Sequence, residues 1–322
     1  MPAKRFAQTT IVCVAALIPY LIRPATLFAQ AWVPEKGSGS VSSTYSNIYV
    51  RNHVNFIGIR NPNLGRIRTN TILTSFDYGI TNRLALNADL AHVSSKYIGV
   101  QPHGPNDTGS YHPTFQDAHI ELRYNALSKS VVVTPFIGAT IPTHDYEVRG
   151  HSAVGRGFHE LLLGVNVGRQ LDRVLRDSYV HGRYSYAILG RFEGLNLNRS
   201  NADWEVGWFA NKQISLRLLG DWQTTHGGFD FPRNVHHAGD FDIHDRVARA
   251  KFIHLGGGFG FSVSTSFGVH AAYLTTVYAR NSHAAGGVLL GMSWIFARGL
   301  GLSQTAANTW TKNFPTLAQI TR

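Results

Sequence analysis

The chain has 322 residues, with 30 Lys and Arg against 19 Asp and Glu, and only 15% of its residues are charged, well under the ~25% of an ordinary soluble domain. No stretch approaches the ~20 consecutive apolar residues of a spanning helix, which excludes a helical membrane protein. A content of 43% hydrophobic and 11% aromatic residues excludes a disordered chain.

Lys4 and Arg5 stand ahead of an apolar run over 11–22, which ends in a small-residue exit at Ala29-Gln30-Ala31. This is the layout of a secretory signal peptide, read here as residues 1–31. Its removal would take away Lys4, Arg5 and Arg23 but no acid, lowering the net charge from +11 to +8. The only cysteine, Cys13, lies in the same segment, so the exported chain is expected to lack disulfides, Cys-bound zinc and thiol chemistry. Export also argues against the nucleic-acid partner that a basic balance would otherwise suggest.

From Ser40 onward the dominant signal is period two, the mark of strands with two unlike faces. Twelve strands are predicted, beginning near Ser40, Arg66, Leu84, Gln116, Val131, Phe158, Ser178, Asn201, Ile214, Asp245, Ser266 and Gly286. In the third, Leu84, Leu86, Ala88 and Leu90 share one face, and Asn87 and Asp89 the other. The eighth sets Ala202, Trp204, Val206 and Trp208 against Asp203 and Glu205. The tenth is irregular, because Arg249 and Lys251 share parity with Ile253, Leu255 and Phe259. A cation at mid-bilayer costs ~2–4 kcal/mol, so either these two residues project above the membrane or a bulge near Gly256-Gly257-Gly258 reverses the parity. The bulge is the favoured expectation.

Short connections, such as Thr81-Asn82-Arg83 and Asn211-Lys212-Gln213, alternate with long polar loops over 51–65, 98–115, 144–157, 189–200 and 226–244. That asymmetry points to an all-β fold: an antiparallel transmembrane β-barrel of about twelve strands over 32–296, with short periplasmic turns and long extracellular loops. Periodicity alone does not separate this from a soluble sandwich; the export signal, the loss of the cysteine and the loop asymmetry together favour the membrane barrel. Residues 297–322 lack period two and follow the aromatic strand end at Phe296. They are read as a disordered extension or a lumen plug.

With the apolar face turned to lipid, the lumen receives Asp77, Asn87, Asp89, Asp117, His119, Glu121, Arg123, His181, Arg183, Asp203, Glu205, Arg217, Asp221 and His270. Such a mixed-charge lining serves either as a selectivity path or as a structural network, since eight-stranded barrels are filled and sixteen-stranded ones are open. Histidine is in excess, and His236, His237, Asp240 and His244 in one loop are chemically suitable metal ligands. No catalytic arrangement or cofactor motif emerges: the three glycines at 256–258 precede no helix, so a phosphate loop is rejected.

The hairpin over 76–86 (Phe-Asp-Tyr-Gly-Ile-Thr-Asn-Arg-Leu-Ala-Leu) resembles a turn of the MetA-pathway of phenol degradation family of outer-membrane β-barrel proteins. The strand Asp117 to Tyr124, the strand end Ala139-Thr140-Ile141-Pro142-Thr143 and the turn at 279–284 are similar to further segments of that family. His144 stands where the family strand end has a glycine. The resemblance implies a bacterial outer-membrane protein passing small aromatic or hydrophobic compounds, and it brings no catalytic residue. The function expected is therefore passive passage of such solutes by a monomer whose partners are outer-membrane lipid and, during biogenesis, the barrel-assembly machinery. A nonenzymatic receptor, adhesion or metal-binding barrel is the alternative.

Overall fold

The computed structural model describes residues 30–100, 102, 104–230 and 242–297. Their period-two pattern folds into a closed antiparallel barrel of twelve long strands: β1 (Gly39–Val54), β3 (Arg66–Gly79), β4 (Leu84–Ile98), β5 (His112–Tyr124), β7 (Val132–Ile141), β8 (Glu160–Gln170), β9 (Ser178–Leu189), β10 (Arg199–Phe209), β11 (Ile214–Thr225), β12 (Lys251–Ser262), β13 (Phe267–Arg280) and β14 (Ser282–Phe296). Two-residue pieces, β2 (Arg60–Asn61) and β6 (Leu127–Ser128), extend hairpins, and α1 (His244–Val247) is the one helix among the described residues. Each strand pairs with its sequence neighbour, and β1 pairs with β14 from Gly39↔Phe296 to Val54↔Ser282. The sheet therefore closes on itself with no terminal edge strand.

The barrel is inside-out relative to a soluble domain. Ile72, Ile120, Leu163, Leu218, Leu290 and Trp294 are exposed on its outer wall, whereas Ser42, Thr44, Thr71, Asp77, Glu121, Arg123 and Asn166 are buried inside. Phe76, Tyr78 and Phe296 stack in a row at the short-turn end, with Trp294 tilted against Phe296. Such aromatic groups suit the boundary between hydrocarbon and water. At the opposite end, β13 and β14 are joined through Asn281 alone, at φ 44°. Asparagine tolerates this left-handed conformation.

Three expectations are corrected. The tenth long strand, β12, begins at Lys251 rather than near Asp245, which sits in α1. The glycines 256–258 continue β12 without a shift in its pairing to β11. The register slips instead against β13, where His254 faces Thr276 and Ile253 faces Tyr278, leaving Val277 as the extra residue. Lys251 therefore keeps its outward parity but occupies the strand's first position at the long-loop rim, and Arg249 lies before the strand, paired with Asp230 at 3.0 Å. Both cations thus stand at the long-loop end of the wall. The strand predicted from Gly286 begins at Ser282.

A second bulge organises the interior. Across β4 and β5, Leu90 faces Ala118 and His92 faces Phe115, so Gln116 and Asp117 together oppose Ala91. Bulges re-aim side chains, and both of these residues bond the chain that roofs the barrel.

Candidate lumen site

Nearest the short turns, the lumen carries an ionic belt. Arg123 on β5 is paired with Asp77 on β3, and Glu121 receives Arg183 of β9 through both guanidinium nitrogens, at 3.0 and 2.5 Å. His119 Nε2 lies 3.4 Å from Glu121, and Asp203 and Glu205 of β10 stand 4.0 Å from Arg183 and Arg217. The Tyr179 hydroxyl donates to Glu205. Arg183 reaches Glu121 because the intervening strands offer small or polar residues there: Glu121 faces Gly138, and Asn166 faces Arg183. A Cβ on Gly138 would approach the His119 ring and the Ile120 carbonyl. The Arg183 guanidinium also lies 3.8 Å from the centroid of the Phe136 ring. Buried ions must be paired this way.

Residues ahead of β1 enter the same level. The Gln30 carbonyl accepts from Arg123 at 3.1 Å, the Ala31 carbonyl accepts from the Thr134 hydroxyl, and a Cβ on Gly168 would meet the Trp32 ring. Of this segment, Gln30 and Ala31 are expected from the sequence to end a signal peptide and Trp32 to open the barrel region, with no sequence signal for a place inside the lumen.

Loops close over the other end. Tyr146 and Val154, from the connection between β7 and β8, pack on Leu73, Ala91 and Val93 of the inner wall. The bulge residues hold them: Gln116 donates to the Val154 carbonyl at 2.7 Å, while the Tyr146 hydroxyl donates to Asp117 and accepts from the Gly157 amide at 2.9 Å. Burial, with the Asp117 carboxylate beside it, pushes the Tyr146 hydroxyl above its ordinary range, so it remains a donor. The loop is tied to the segment around α1 by Gly150 N to Asp242 O at 2.7 Å and Arg156 to Arg246 O at 2.6 Å. Arg246 in turn lies over the rings of Phe158 and Phe192 at 4.5 and 4.1 Å.

Beneath this roof is a cavity of about 170 Å³. Ile48, Val50, Ile67, Val154 and Phe252 give it apolar walls, and Thr69, Arg199, Gln223 and His254 give it polar ones, joined by His151, Arg156, Asp245, Arg246 and His283 from the loops and the start of β14. Arg199 is paired with Glu160, and His254 with Asp221 at 3.1 Å.

Of the residues predicted to line the lumen, Asp89, His119, Glu121, Arg123, His181, Glu205, Arg217, Asp221 and His270 are buried on the inner wall; Arg183, Asp203 and Asp117 are partly buried and engaged as above. They do not form one site. His270 contacts Thr44 at 3.2 Å, away from the Asp221–His254 pair. Of the predicted metal ligands, His236, His237 and Asp240 lie outside the described residues; His244 is buried on α1 beside His151 and Asp245. Sequence reasoning missed Glu160, Arg199 and His254, whose partnerships depend on strand register.

No family model and no curated sequence matches the chain. In fold it is similar to an outer membrane channel of Pseudomonas putida F1, with a TM-score of 0.63 and 11% identity over 83% of this chain and 98% of the other. More distant likenesses include the translocator domain of the autotransporter NalP from Neisseria meningitidis (TM-score 0.48, 12% identity, 90% of this chain and 96% of that one). Another is the Pseudomonas putida toluene transporter TodX (TM-score 0.39, 10% identity, 87% and 93%). The chain thus shares the fold of outer-membrane barrels.

Proposed function

We propose that the chain forms a channel in the bacterial outer membrane for passive passage of small hydrophobic or aromatic solutes, with the short turns on the periplasmic side and the long loops outside. The resemblance to the MetA-pathway family belongs to the same reading. The observation that carries it is the cavity between roof and belt. Its volume of about 170 Å³ is close to that of apolar cavities, ~150 Å³, that accept benzene. Its mixed lining suits a solute with an apolar ring and one polar substituent. The belt below would set which charges pass, and the inserted loop would set when the path is open.

Flux into liposomes containing the purified barrel tests the proposal, with a monocyclic phenol compared against a disaccharide. Faster entry of the phenol is expected, reduced severalfold by Val50→Trp, which fills the cavity from its wall. Absence of both flux and single-channel conductance would overturn the channel reading in favour of a receptor or adhesion barrel.

A further inference from the structure

Four imidazoles and one carboxylate meet at the long-loop mouth from parts of the chain far apart in sequence. His53, near the end of β1, and His283, at the start of β14, are register partners across the strands that close the barrel, with ring centroids 4.6 Å apart. His151 comes from the β7–β8 loop; its ring lies 4.7 Å from that of His53 and stacks on Tyr97 at 4.5 Å. His244, on α1, brings its ring to 4.9 Å from His151. Asp245 follows it, with a carboxylate oxygen 3.3 Å from His244 Nε2 and 3.6 Å from His283 Nε2.

The ligand atoms converge. One nitrogen from each of His53, His151 and His283 lies within 4.8 Å of the others, and the same holds for His151, His244 and Asp245. Four donors ~2.0–2.1 Å from a tetrahedral ion stand about 3.3 Å from one another, so closing the set takes small side-chain rotations. His53, His151 and His244 are buried. The backbone around His151 is fixed from outside the cluster: Asp107 accepts from the His151 amide at 3.0 Å, the Ser152 amide at 2.8 Å and the Ser152 hydroxyl at 2.6 Å. Such outer support commonly orients metal ligands.

We infer that this cluster is a binding site for a late first-row divalent cation, with His53, His151 and His283 as nitrogen ligands, Asp245 as the anionic ligand and His244 as a positioning residue. Imidazole with one carboxylate suits zinc, copper or nickel rather than calcium or magnesium. His151, Asp245 and His283 also line the cavity, so a bound metal would sit in its wall, but metal binding itself does not depend on conduction. Bound metal would join the barrel seam, the β7–β8 loop and α1, and would stabilise the folded barrel by mass action.

Tag-free full-length protein, stripped with a chelator and titrated with Zn²⁺ against a chromogenic competitor, is expected to bind one equivalent. Co²⁺ in its place is expected to give the visible absorption of a tetrahedral nitrogen and oxygen site. His151→Gln and His283→Gln, each first shown to be folded by heat-dependent gel mobility, should weaken Zn²⁺ binding by about 100-fold, the upper end of losses seen even for outer-shell changes. The double substitution His144→Gln with His159→Gln, at exposed loop positions, should leave it unchanged. Failure of the stripped protein to bind Zn²⁺ in the micromolar range would overturn the inference, as would equal affinity in either cluster variant or loss of binding in the exposed-histidine control.

Discussion

Arg199 and Glu160 show what a single buried residue contributes to this barrel. Both side chains are almost fully buried, and they pair across strands that are not neighbours, β10 and β8, with β9 between them. Removing one member of a buried ion pair leaves an uncompensated charge, which costs about 3–5 kcal/mol. Arg199→Met should therefore lower the urea midpoint of the refolded barrel substantially, and Arg199→Met with Glu160→Leu should recover most of the loss. A double variant no more stable than Arg199→Met would mean that the pair is not a unit. The belt should respond differently: Glu121 is shared by Arg183 and His119, with Arg123 Nε 4.0 Å away. Glu121→Gln would shift the local balance toward positive charge. In planar bilayers it should move the reversal potential toward anion preference; an unchanged potential would place Glu121 off the ion path.

At the scale of elements, alternation made the strands legible, and pairing decided what they carry. The inward positions of Asp89, Glu121, Asp203 and Arg217 follow from parity alone, because a period of two fixes which face each residue takes. Parity says nothing about height, so the sequence leaves open whether Lys251 stands at the rim or a bulge turns it inward, and its place at the first position of β12 decides for the rim. Nor does it say which residues meet across the lumen: His53 and His283 are far apart in sequence, and only closure of β1 on β14 makes them partners. The bulge at Gln116 and Asp117 left no legible trace, since it needs the register on both sides. That bulge carries the roof, which leads to a test. Gln116→Leu with Asp117→Leu removes the acceptor of Tyr146 and the donor to Val154 while the strand itself can persist. The β7–β8 loop should loosen, seen as faster proteolysis within 145–157 and a larger single-channel conductance. Unchanged cleavage and conductance would show that apolar packing of Tyr146 and Val154 on Leu73, Ala91 and Val93 holds the roof by itself.

At the scale of the whole molecule, the decisive feature is the seam, because a twelve-stranded sheet in lipid must hide its first and last edges. The register places Ser42 of β1 opposite Ser293 of β14 on one side and opposite Ser75 of β3 on the other. All three serines are buried on the inner wall, so cysteines there are nearly isosteric and face the lumen rather than the outer surface. Facing residues of antiparallel neighbours have Cα atoms ~4.5–5.5 Å apart, within reach of a disulfide. Ser75 and Ser293 flank β1 at about twice the ~4.8 Å strand spacing, beyond that reach. In a chain with Cys13 replaced, Ser42→Cys with Ser293→Cys should therefore oxidise to an intramolecular disulfide. Ser75→Cys with Ser293→Cys should remain reduced. The first variant should stay a closed loop after boiling and migrate differently from its reduced form on a denaturing gel, while its far-ultraviolet spectrum remains predominantly β. Cross-linking in the flanking pair but not in the seam pair would mean that the sheet closes in another register or not at all.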